Sequence, residues 1–310
     1  MAAEKSDDPR LGHLLKRESI DNALGKIGII GYACDDGVAR NNGRVGAKQG
    51  PASFRKYLYR LGTAYNPEYG IDLSRLQWKD FGDVEAERTL EETHENLMRK
   101  VEQALGQQFT PVIVGGGNDQ SYPNCRAFMN KYGGNVGVVN IDAHLDVRPL
   151  NGRPPLLAHS GTPFRQLLED DDFRGVFVEF AAQGHQCSKE HSEYVQSKGG
   201  SIRWLSEIRS TKDVVSEFTQ VLANFGNRPI FVSFDMDSIR SADCPGVSCP
   251  GTIGLTAEEA LGMCREAGRN AKVQLVDFSE YNPLIEEDRT GRLLVNMVYH
   301  LALGLAERVQ

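Results

Sequence analysis

The chain has 310 residues, 35 of them basic and 42 acidic, for a formal charge of −7. With 40% hydrophobic and 25% charged residues it has the balance of a globular protein, which excludes disorder over most of its length. The mild acidity, with no Lys/Arg block, argues against nucleic acid or an anionic membrane as main partner. No stretch approaches the ~20 apolar residues that span a bilayer. In chain order, a polar segment over residues 1–24 comes first, opening MAAEKSDDPR, and is expected to be peripheral. It has no apolar signal core, so a cytoplasmic location is expected. From residue 25 to 310 a single domain is expected. Short apolar runs recur along it: KIGIIGYA, TPVIVGGG, NVGVVNID, GVFVEFAA, PIFVSFDMD and KVQLVDFSE. Each has the length of a strand buried on both faces of a parallel sheet. Amphipathic stretches at 90–105, 189–198, 213–225 and 257–267 separate several of them and predict helices. Strand-helix alternation predicts an α/β fold whose mainly parallel sheet is covered on both faces.

Polar clusters stand at the carboxyl ends of the runs: CDDG, GGGND, DAHLD, DMD and DFSEYNP. Ligands of open parallel sheets bind outside those ends, so the five clusters converge on one rim. Asp142, His144 and Asp146 alternate along an extended segment and can share one face. Asp235 and Asp237 repeat the pattern at another strand end. Four carboxylates and one imidazole at one rim repel unless cations sit between them. Two divalent cations a few Å apart, bridged by carboxylate and water, resolve that repulsion. Asn118 follows three glycines and is placed to supply an amide oxygen or to serve as a polar turn residue.

The set GGGN, DAHLD, DMD and SEYNP resembles the ureohydrolase (arginase-like) superfamily, in the right order over most of the chain. DAHLDVRP, HSGTPFRQL, CPGVSCPG and DDGVARNNGRVGAKQGP resemble its formiminoglutamase branch. The resemblance implies a three-layer αβα sandwich, a homo-oligomer of three or more copies and two Mn²⁺ per subunit. It also implies hydrolysis of N-formimino-L-glutamate to L-glutamate and formamide. Carried over residue by residue, Asp142 and Asp235 would bridge the metals. Asp146 would complete one shell, and His144 with Asp237 the other. Asp237 or His159 would move a proton, and Glu280 would pair with the amidine end of the substrate.

The substrate ends in carboxylates, and Arg148 is suited to grip one by two parallel hydrogen bonds. Asn41, Asn42 and Arg44 are further candidates for holding it. The family usually has His where this chain has Asn118. An amide oxygen is the poorer ligand for a transition-metal ion, so one metal should bind less tightly. Two alternatives follow: another ureohydrolase acting on arginine, agmatine or guanidinobutyrate, or a metal-poor non-catalytic relative. Among six cysteines, Cys34 and Cys244 both fall near rim loops and are candidates for a redox disulfide, with Cys249 as alternative partner. Two reduced thiols are the base-rate expectation for a cytosolic protein.

Overall fold

The computed structural model describes residues 9–17, 19–153, 156–211 and 213–308. Eight strands form the main sheet: β1 Lys26–Ala33, β2 Gln77–Glu85, β3 Thr110–Val114, β4 Gly137–Ile141, β5 Val176–Ala182, β6 Ser201–Trp204, β7 Ile230–Asp235 and β8 Val273–Ser279. Their spatial order is β2-β1-β3-β8-β7-β4-β5-β6. All seven neighbouring pairs run parallel. The six apolar runs are six of these strands. The two strands that no apolar run announced, β2 and β6, are the sheet's edges, where partial exposure permits polar residues such as Lys79 and Arg203.

Alternation along the strands feeds two apolar clusters. Ile27, Ile29, Val139, Ile141, Val232 and Phe234 belong to one, and Ile30, Tyr32, Val138, Phe177, Phe231 and Leu275 to the other. Helices complete both. The second cluster takes Leu97 and Val101 from α2 (Leu90–Gly106) and Phe128 from α3 (Ser121–Tyr132), with α1 being Gly50–Leu58. The first takes the apolar sides of α5 (Val214–Asn224), α6 (Ala257–Arg269) and α7 (Asp288–Glu307), α4 being Lys189–Ser197. The result is the expected three-layer α/β arrangement. Capping boxes start α2 at Thr89 with Glu92 and α6 at Thr256 with Glu259, satisfying N–H groups the helix itself leaves open.

One expectation needs correction. Part of the N-terminal segment is not peripheral: Leu11 and Leu14 are buried in the first cluster. Leu11, Leu14 and Leu15 have i, i+3, i+4 spacing, which gives a short apolar stripe inside a polar stretch. Residues 1–8 and 18, also part of that segment, lie outside the described residues.

Candidate metal centre

The clustered residues come from β3, β8, β7 and β4, four adjacent strands at the middle of the sheet. Asp142 follows β4. Its Oδ1 accepts the His144 backbone N–H at 2.7 Å, which turns the chain so that the imidazole comes back beside the strand end. Asp235 ends β7, and its Oδ1 accepts the Asp237 N–H at 2.9 Å in the same local pattern. Two sets of side chains result. Ligand oxygens of Asp142, Asp146 and Asp235 lie within 4.8 Å of one another. So do ligand atoms of His144, Asp237 and Cys249. His144 Nδ1 stands 3.3 Å from both Asp142 Oδ1 and Asp237 Oδ2 and joins the sets.

The electrostatics are those of carboxylates crowded out of water. Burial, then the Asp142 charge, pushes Asp146 up to about 8. Burial also pushes Asp237 up to about 6, against the opposing pull of His144. Burial followed by the Asp237 charge holds Asp235 well above the usual range. His144 is raised by the Asp237 carboxylate despite its own burial. Asp142 ends below the usual range because its His144 contacts outweigh burial. Asp146 and Glu280 also sit at φ +43° and +66°, a backbone region that costs a non-glycine residue roughly 1 kcal/mol or more. Asp237 Oδ1 is buried without a hydrogen-bond partner. An oxygen-rich donor set with one imidazole and an orphaned carboxylate oxygen fits manganese-type divalent cations.

A cavity of about 180 Å³ borders these sets and is lined by His144, Asp146, Asp235, Asp237, Glu280 and Arg148, among others. Glu280 Oε1 accepts the Asn118 N–H at 3.1 Å, and burial followed by the Asp237 charge raises this carboxyl well above the usual range. Asn118 presents its nitrogen to the acidic set. Its Nδ2 donates to Asp146 Oδ2 at 2.8 Å, while its Oδ1 accepts from Ser121 and Ser279 hydroxyls at 2.8 and 3.1 Å. Arg148 is exposed and makes no ion pair with a carboxylate among the described residues. A Cβ on Gly161 would stand 2.9 Å from Arg148 Cδ, so the glycine leaves room for that side chain to lie along the loop. Asn41 also lines the cavity and donates to Ser160 Oγ at 3.1 Å.

Other expected residues are placed differently. Arg44 does not line the cavity. Its guanidinium donates to Ser248 O and Val247 O at 2.7–3.0 Å and ties down the loop after β7. That correction follows from the donor fork finding backbone carbonyls first. His159 lines an adjoining groove with Arg148 and Asn42. Its Nδ1 accepts the Gly161 N–H at 3.2 Å and its Nε2 lies 3.3 Å from Pro149 O, so both ring nitrogens serve the turn. Cys34 and Cys244 are buried free thiols in separate apolar clusters and form no disulfide with each other in this structure.

Sequence reasoning missed four residues. Gln186, Cys187 and His191 line the cavity from the segment after β5. Every strand end points to the rim, and that rule covers QGHQC as well as the acidic clusters. Asn140, inside β4, sends Nδ2 to Asp142 Oδ2 at 3.3 Å and to Glu179 Oε2 at 3.0 Å, bracing the ligand loop from below. A glutamate within the apolar run GVFVEFAA was its sequence signal.

The arginase family model matches residues 25–304. The chain belongs to the arginase family. Formimidoylglutamase of Staphylococcus carnosus is 31% identical over 293 residues, covering 92% of this chain and 88% of that one. A solved structure of Trypanosoma cruzi formiminoglutamase with Mn²⁺ is 48% identical, with a TM-score of 0.90, covering 97% of this chain and all of that one. An oxidized form of the same parasite protein is 47% identical, with a TM-score of 0.87, covering 98% of this chain and all of that one.

Proposed function

We propose that this arginase-family chain hydrolyses N-formimino-L-glutamate to L-glutamate and formamide, using two manganese ions per subunit. The observation that carries the reading is the joining of two ligand sets through His144, beside a cavity edged by an Arg148 with no carboxylate partner among the described residues. The names of similar proteins agree with it. Asp142, Asp146 and Asp235 would hold one ion, and His144 with Asp237 the other, Asp142 and Asp235 bridging. Ions there supply Lewis acidity and a nucleophile drawn from water at neutral pH.

The chain's own groups do the rest. Glu280 is fixed by the Asn118 N–H and offers its second oxygen to the amidinium end of the substrate. Arg148 takes a substrate carboxylate, so binding energy at the far end positions the reacting carbon. Asp237 has an unpartnered oxygen at the site and is the better placed group to pass a proton to the leaving nitrogen. His159 instead holds the 159–161 turn that supports Arg148. Asn118 acts through Asp146, whose carboxylate it orients.

The decisive assay offers manganese-loaded, reduced protein formiminoglutamate, arginine and agmatine in parallel. Formamide from the first alone is expected. Urea release from arginine or agmatine at a comparable kcat/KM would replace this reading with another ureohydrolase.

A further inference from the structure

The two ligand sets differ in chemistry. Asp142, Asp146 and Asp235 offer only oxygen, whereas His144, Asp237 and Cys249 offer nitrogen, oxygen and sulfur within 4.8 Å of one another. Cys249 lies on the loop after β7 that Arg44 ties down, and it lines the cavity. Its exposed thiol stands 3.7 Å from Gln186 Oε1 and reaches the His144 imidazole. Asp237 is 4% exposed, and its Oδ1 has no hydrogen-bond partner. Cys187, the other thiol on the cavity, already donates to Ala143 O at 3.5 Å and is not part of this set.

We infer that His144, Asp237 and Cys249 form a mixed-donor site that takes zinc in preference to manganese. Thiolate and imidazole suit zinc, which three protein ligands hold with a fourth position open. Manganese is weaker in the general order of divalent affinities and favours oxygen. On binding, the Cys249 thiol releases its proton to solvent and the sulfur–metal bond forms, with no change of oxidation state. The inference rests on the proposed manganese centre only in sharing His144 and Asp237. Zinc held through Cys249 competes with manganese for that half of the centre.

The test uses metal-free full-length protein kept reduced with a phosphine, as the parent chain and as Cys249→Ser. Zinc affinity is read against a chromophoric chelator, and manganese affinity by paramagnetic resonance of the free ion. Losing a ligand costs at least what losing an outer-shell partner does, so zinc affinity should fall by about 10–100-fold or more. Manganese affinity should move much less. With cobalt as probe, the parent should show a near-ultraviolet thiolate charge-transfer band that Cys249→Ser abolishes and Cys187→Ser retains. Equal zinc affinity in the two chains, or a band that survives Cys249→Ser, overturns the inference. Absence of manganese binding in both chains would instead overturn the manganese reading, whatever zinc does.

Discussion

At Arg148, the backbone N–H is tied to Gly161 O at 2.9 Å while the guanidinium is left at the exposed edge of the cavity. A fixed backbone with a cation that pairs with no carboxylate among the described residues is what carboxylate recognition needs. Arg148→Ala should reduce kcat/KM for formiminoglutamate by about 1.5–3 kcal/mol, the worth of a hydrogen bond to a charged group, chiefly through KM. Parent-like kinetics would remove Arg148 from substrate binding. Asn118 makes a different kind of prediction. Its amide now donates to Asp146, so Asn118→His exchanges that bond for a ring nitrogen beside the acidic set. Manganese should bind more tightly, because imidazole is the better ligand for transition-metal ions. Calorimetric titration reads this directly, and unchanged affinity would leave Asn118 as an orienting residue only. Residue types were legible at these positions, but which atom of Asn118 faces the acids depends on the Ser121 and Ser279 hydroxyls. Those lie 3 and 161 positions away in sequence, and nothing local announces them.

The strands were legible as elements because burial on both faces leaves unbroken apolar runs. Their order was not. β3, β8, β7 and β4 lie side by side only because crossovers carry the chain over both faces, and no short-range pattern encodes that. The rim loops were legible as a group, while the contacts between them were not. The loops after β1 and β7 are joined through Arg44 and Ser248. These are the loops that carry Cys34 and Cys244. Burial, then the Asp119 charge, pushes the Cys34 thiol up to about 12, and burial raises Cys244 as well. Little thiolate is present at neutral pH, so oxidation must follow a local opening of the loops. We propose that prolonged air oxidation joins the pair once the loops have opened. Protein stored without reductant should then lose activity slowly and regain it with thiol reductant plus Mn²⁺. Cys34→Ser should abolish that dependence, and an equally reductant-dependent Cys34→Ser would exclude this pair.

The whole molecule carries its acidic centre as a pH-dependent load on stability. Asp146 and Asp237 have folded-state values of about 8 and about 6, both raised from the ordinary value of 3.8. His144 is raised as well. All three bind protons more tightly folded than unfolded, so metal-free protein loses stability as pH rises. For the two carboxyls the loss begins near the ordinary value of 3.8 and runs through the folded value of about 8. Asp142, which is lowered, works in the opposite direction, but only below its ordinary value of 3.8. The metal-free Tm should therefore fall steadily between pH 5 and pH 8. Manganese replaces the protons as counter-charge and binds only the folded chain, adding RT ln(1 + [Mn²⁺]/Kd). Affinity itself rises with pH as the ligands give up protons. The gain in Tm on adding manganese should thus be small near pH 5 and largest near pH 8, where the metal-free protein is weakest. Scanning calorimetry at matched ionic strength, with and without manganese, measures both slopes. A metal-free Tm that rises over that range, or a manganese increment independent of pH, would show that these carboxylates are not held as the structure has them.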